Sequence, residues 1–199
     1  AEATPAAQQV LTLVSDSAFA KVIDFYVYVY QRAGVADLSS ESLVRVDKEF
    51  AIQPAAAGSW ESSEDGMTWT FKIREGLTWS DGNQVTANDW VATFQNAANP
   101  ESAWDFTWYF QGILKNWTEA TAGDAPVDTI GVRLGANDYE LVFETLAPAP
   151  YLPAMLLYSL PLSAAGLAAN GMFYNTDPAT AISSGPYILS EWLPDQQIN

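Results

Sequence analysis

Apolar and polar positions alternate most clearly between residues 57 and 74, where "AGSWESS" and "MTWTFKIR" flank Glu64-Asp65-Gly66. An Asp-Gly pair between alternating stretches is a strong hairpin signal. Trp69, Phe71 and Ile73 fall on one face and Thr68, Thr70 and Lys72 on the other, so one face is buried and one is wet. A second pair, "DTIGVRL" and "YELVFETL" around "GAND" (residues 128–146), predicts a second hairpin. There Ile130, Val132 and Leu134 alternate, as do Tyr139, Leu141 and Phe143. Between the hairpins, "WSDGNQV" turns at Asp81-Gly82, and the pattern then changes to a helical period. Thr86 is an N-cap, Asp89 stands at the third helical position, and Trp90, Val91 and Phe94 share a stripe of a helix over 87–98. Asn99-Pro100 ends it.

The remaining segments follow the same logic. Residues 9–16, with Val10, Leu11, Leu13 and Val14, read as a buried strand. Residues 19–34 fit a strand by composition and a helix by length, and stay open. "SSESLVRVD" reads as a short helix or turn entering a strand at 43–46. The aromatic run 101–114 predicts a helix with Trp104 and Trp108, four apart, on one face. A helix is expected at 151–158, then a loop, then a Gly185-Pro186 turn into a strand over 187–192. The order gives an α+β fold.

Composition narrows the chemistry. The chain has 199 residues, 49% hydrophobic and 16% charged, which suits one large or two small globular domains. No apolar run reaches about 18 residues, so no transmembrane helix is expected. The first residues, "AEATPAAQQ", read as a flexible leader or a frayed terminus. There is no Cys and no His, which excludes thiolate sites and any Ser-His-Asp or Cys-His triad within the chain. A formal charge of −16 repels phosphate backbones and attracts cations. "DGNQVTAND" lacks the glycine and terminal Glu of a calcium loop, so no metal is expected there. Asn116-Trp117-Thr118 fits a glycosylation sequon.

Residues 52–95, "IQPAAAGSWESSEDGMTWTFKIREGLTWSDGNQVTANDWVATFQ", resemble the signature region of the family 5 extracellular solute-binding proteins. These are the oligopeptide-, dipeptide- and nickel-type receptors of ABC importers. The resemblance rests on Pro54, Trp60-Glu61, Asp65-Gly66, the strand from Trp69 to Arg74, Gly76, Asp81-Gly82 and Thr86-Ala87 with Asp89. It continues through "GVRLGANDYELVFETLAPAPYL" and "SSGPYILSEW", in family order. The segment after the first strand, "SDSAFAKVIDFY", departs from the family's Leu-Asp/Asn-Pro pattern, and the family's chains are far longer.

The resemblance implies an α+β, periplasmic-binding-protein-like fold of class II, cluster C type. Only the first lobe is expected, a mixed sheet with hairpins and flanking helices. It divides the chain into a leader (1–8), a first part of the lobe core (9–46), an inserted subdomain (47–180) and a return strand (181–199), with the second lobe absent. It implies a monomeric, periplasmic or extracellular solute-binding component of an ABC importer, with an N-terminal lipid as a possible anchor. This component would bind a peptide or oligosaccharide-like solute without chemistry or cofactor and meet the importer's permease. Its wall residues would be Asp16 and Ser17 at the end of the first strand, and Ser40, Glu41 and Ser42 in the "SSES" turn. Glu41 corresponds to the Glu of the family's Tyr-Glu-Gly-Leu element beside the ligand. Trp108 and Tyr109 are the candidates from an aromatic cluster whose other members read as core. The motif block itself reads as scaffold.

Two other readings stand beside this one. Glu140 and Glu144 could form the carboxylate pair of a glycoside hydrolase, which requires two acids about 5–10 Å apart over one cavity. The chain could also be a purely structural fragment, with weak or undetectable binding of its own, since one wall cannot desolvate a ligand on both sides.

Overall fold

The computed structural model describes residues 24–27, 29–30, 36–193 and 197–199. The expected strand at 9–16, the candidates Asp16 and Ser17, and most of 19–34 lie outside the described residues.

The two predicted hairpins form, and they share one sheet. β3 (Ala57–Ser62) pairs with β4 (Thr68–Ile73), and β5 (Val132–Leu134) with β6 (Glu140–Glu144). β4 and β6 join them in the order β3-β4-β6-β5, with Trp69 opposite Phe143 and Phe71 opposite Leu141. A register shift between Ala57 and Ser59 marks a bulge in β3. Two smaller ladders pair β1 (Val44–Val46) with β2 (Ile52–Pro54), and β7 (Trp192–Leu193) with β8 (Gln197–Ile198). All these ladders are antiparallel; the parallel ladder that a mixed sheet requires is not among the described residues.

The sheet is covered by α2 (Ala87–Ala98). The expected capping box is present: Thr86 takes the amide at the third helical position, and Asp89 Oδ2 accepts from Thr86 N at 2.8 Å. Phe94 meets Phe143 edge-on at 5.3 Å, and Phe71 meets the same ring at 5.6 Å, so helix and sheet share one aromatic core. Trp90, wholly buried, donates its indole N–H to Ser159 O at 2.7 Å. Beyond α3 (Trp117–Ala122), the expected helix at 151–158 is α4 (Leu152–Met155) followed by a 3-10 turn over Leu156–Tyr158.

Three expectations need correction. Residues 101–114 do not form one helix. A 3-10 turn at Pro100–Ser102 ends in left-handed Ala103 (φ 48°), and a second occupies Thr107–Phe110. At 100° per residue a helix would put Phe106, Tyr109 and Phe110 on one side and Trp104 on the other, whereas the fold buries Trp104, Phe106 and Phe110 on one core. The strand expected at 187–192 is reduced to β7, because Tyr187 N turns to Leu38 O and Ser190 N to Asn199 O. The loop expected after residue 163 contains α5 (Ala164–Asn170). Ser163 Oγ caps it through Gly166 N, and Tyr174 packs so closely that a Cβ at Gly166 would sit 2.8 Å from its ring.

Candidate functional site

Two motifs far apart in sequence meet on one stretch of backbone. α1 (Ala36–Ser39) ends at the carbonyl of Ser39, which accepts from Ser184 N at 3.1 Å, Gly185 N at 2.9 Å and Ser183 Oγ. Ser183 Oγ also reaches Tyr187 O, so the 183–187 turn is clamped to the start of "SSES". Gly185 is required there: a Cβ would lie 2.6 Å from Leu38 O and 2.8 Å from Ser40 N. On the other side, Ser42 Oγ donates to Leu157 O at 2.9 Å and Leu43 N to Ser159 Oγ at 3.1 Å. The turn thus lies between residues 183–187 and the 157–162 segment.

Next to this turn is a small cavity of about 10 Å³, room for one water, lined by Asp24, Ser39, Ser40, Leu160, Leu162 and Asn175 among others. Asp24 is 1% exposed. Its Oδ1 accepts from Tyr26 N at 2.7 Å and its Oδ2 has no partner. Burial pushes its carboxyl up to about 6, against the lowering effect of the Tyr26 N–H. Tyr26 donates its hydroxyl to Leu160 O; burial and then the Asp24 charge push its phenol upward.

Beyond Asp24 the chain builds an aromatic ledge. Phe106 is the buried hub, with Tyr109 stacked on it at 4.6 Å and Trp108, Tyr158 and Tyr30 edge-on at 5.0, 5.7 and 6.1 Å. Trp108 is 54% exposed, Tyr30 64% and Tyr158 41%, while Tyr109 is half-buried. Trp108 Nε1 donates to the Tyr30 hydroxyl at 3.2 Å. Burial, and then neighbouring Tyr158, push the Tyr109 phenol upward. Phe25 joins ledge to cavity: it follows Asp24, stacks on Tyr158 at 6.3 Å, and its carbonyl accepts from Trp104 Nε1 at 3.0 Å. Rigid rings that expose faces and keep polar tips wet can cover a solute at low entropic cost.

The predicted residues therefore divide. Ser40 lines the cavity, and Trp108 and Tyr109 form part of the ledge. Glu41 instead accepts from Arg74 Nη2 at 2.6 Å, a part-exposed pair, and does not line the cavity. The Ser42 hydroxyl is engaged by the Leu157 carbonyl. Trp104 and Trp108 part company, the first buried and the second exposed. Sequence reasoning missed Asp24, Tyr30, Tyr158 and Asn175. Asp24 alone carried a signal, as a single acid inside the apolar run "KVIDFYVYVY". Glu140 and Glu144 do not act together over a cavity edge: Glu144 holds Lys115 and Arg133, each at 2.9 Å, and Glu140 accepts from Ala136 N. Those two cations hold the Glu144 carboxyl below its ordinary range.

Comparison with known proteins agrees with this architecture. The profile of bacterial extracellular solute-binding proteins, family 5 Middle, matches residues 51–199. The probable deoxycholate-binding periplasmic protein YgiS of Escherichia coli is 32% identical over 161 residues, which are 79% of this chain and 30% of that protein. The periplasmic oligopeptide-binding protein OppA of Salmonella typhimurium is also 32% identical over 161 residues, 79% of this chain and 29% of that one. Among solved structures, Haemophilus influenzae OppA in complex with RPPGFSPFR superposes with a TM-score of 0.80 at 26% identity, over 92% of this chain and 36% of that chain. Burkholderia pseudomallei OppA superposes with a TM-score of 0.74 at 31% identity, over 82% and 32%. The chain thus spans about 30% of the length of the first of these relatives. It belongs to the bacterial extracellular solute-binding proteins of family 5.

Proposed function

We propose that this chain is part of an extracytoplasmic solute-binding component that passes a peptide to the permease of an ABC importer. The aromatic ledge and the cavity at Ser40 form the near wall of its cleft. The observation that carries the reading is the ledge itself: Trp108, Tyr30 and Tyr158 expose rings while a buried hub holds them in place. A ring cluster built only for stability would bury those faces. The peptide is favoured over an oligosaccharide because relatives are named for oligopeptides and dipeptides. A binding role is favoured over hydrolysis because, among the described residues, Asp24 is the one carboxyl group lining the cavity and Glu144 is neutralised by two cations.

The division into a lobe core (9–46 and 181–199) and an inserted subdomain (47–180) is supported by the clamp of residues 183–187 on Ser39. A monomer located outside the cytoplasmic membrane is the state that fits the family. Among the described residues no helix is long and apolar enough to cross a membrane. Lipid anchoring would register as incorporation of labelled palmitate.

The test is titration of the protein in its natural length with trialanine and with maltotriose, followed by calorimetry and tryptophan fluorescence. Saturable binding of the peptide and none of the sugar is expected, with no cleavage of nitrophenyl glycosides. Sugar binding or glycoside cleavage would reject the reading. The 199-residue chain alone is expected to bind peptide weakly or undetectably. Submicromolar affinity in it would show that one wall suffices.

A further inference from the structure

Three features bear on the sign of charge that this wall accepts. Trp108 and Tyr158 are exposed rings, and the faces of such rings carry the negative side of the quadrupole. Asp24 precedes Phe25, which stacks on Tyr158; Asp24 is 1% exposed, its Oδ2 is unpartnered, and it lines the cavity together with Ser40 and Asn175. The described basic side chains are elsewhere. Lys48, Lys72, Arg74, Lys115 and Arg133 are each held by a glutamate, Arg45 is exposed on β1, and among the described residues no Lys or Arg lines the cavity. Asp105, between Trp104 and Phe106, adds a second carboxyl group at the ledge, where its Oδ1 accepts from Val29 N at 3.0 Å. Acidic residues outnumber basic ones 24 to 8, so the long-range field has the same sign.

We propose that this wall selects a cationic group on the solute, an ammonium or a guanidinium, which packs on the faces of Trp108 and Tyr158 in the field of Asp24 and Asp105. The inference rests on the reading of the ledge as the solute-facing wall. A cation over an aromatic face gains electrostatic energy that a neutral group of the same shape does not. A buried acid with no bonded cation adds to that difference because little water screens it. An anionic group would meet the same field as repulsion. The cavity at Asp24 is too small for a side chain, so the carboxylate acts through space and the rings make the contact.

The test separates charge from shape. Calorimetry at low salt on the protein in its natural length would compare Ala-Arg-Ala with the same tripeptide carrying citrulline, the neutral isostere of arginine, and with N-acetylated copies of both. Loss of one positive charge, at the side chain or at the amino terminus, is expected to weaken binding about two- to thirtyfold. The peptide that loses affinity identifies which charge the wall reads. Replacing the two exposed rings together, Trp108→Leu with Tyr158→Leu, should bring that difference below twofold while leaving the fold intact. Equal affinity for all four peptides would overturn the cation preference and leave the peptide-binding reading standing. A charge preference unchanged in the ring variant would overturn the assignment to the ledge. Failure of every peptide to bind would overturn both.

Discussion

Phe50 holds a φ of 62°, a left-handed conformation that L side chains adopt at a cost of about 1–2 kcal/mol. It is the tip of the β1–β2 hairpin, 84% exposed, and Asp47 Oδ1 fixes the turn by accepting from Glu49 N and Ala51 N. Nothing in the described packing repays the strain. Phe50→Asn, a residue tolerant of this region, is therefore expected to stabilise the protein by roughly 0.5–1 kcal/mol, read as a higher urea midpoint. Gly185 is the opposite case. Gly185→Ala places a methyl group against the backbone of Leu38 and Ser40, and should destabilise by about 1–3 kcal/mol in the same measurement. Asp24 sets a pH dependence. Its folded carboxyl lies near 6 against an ordinary 3.8, so the native state holds its proton more tightly than the unfolded chain. Stability from this group is fully present below the unfolded value and falls as pH rises from 3.8 to about 6, by at most about 3 kcal/mol. Asp24→Asn should flatten that part of the stability–pH curve.

At the level of elements, Asp89 joins two helices. One oxygen accepts from Thr86 N at the start of α2 and the other from Ala164 N, at 2.9 Å, at the start of α5. Burial raises its carboxyl despite both bonds. Asp89→Ala leaves both amides without an acceptor and should cost about 2–4 kcal/mol in chemical denaturation; Asp89→Asn, which keeps one acceptor, should cost less. The start of α2 was legible because the capping box and its stripe are contained in nine residues, Thr86 to Phe94. Both hairpins were legible for the same reason: alternation and an intervening turn are local. The second role of Asp89 was not, since Ala164 lies 75 positions away. The aromatic run 101–114 was misread because its backbone follows the shape of a ring cluster that includes Phe25, Tyr30 and Tyr158. The small residues of α5 hid a helix whose cap, Ser163, and terminal Gly171 were both present in the sequence.

For the whole molecule, the family was legible from an ordered set of short motifs, each tied to a hairpin or a helix start. The cavity was not, because its lining comes from residues near 24, 40, 160 and 175, which no pattern along the chain connects. The charge of −16 predicts a property of the whole: self-repulsion opposes compaction and salt screens it. The melting temperature should rise between about 10 mM and 0.15 M sodium chloride, conditions whose screening lengths differ by roughly fourfold. An unchanged or lower value would show that local pairs such as those of Glu144 outweigh the net field.

The clamp on Ser39 has a consequence for timing. The bond from Ser183 Oγ spans 144 positions, so the turn that carries Ser40 gains its lock only after residue 183 has been made. Until then the three donors that converge on the Ser39 carbonyl are not yet in place, and closure of so long a loop is slow. The widest pairing in the sheet, Thr68 with Glu144, spans 76 positions, about half as many, so the sheet would assemble first. The Ser40 turn of the proposed wall would be the last part to set, and a synthesis intermediate stalled before residue 183 would carry the ledge with that turn unlocked.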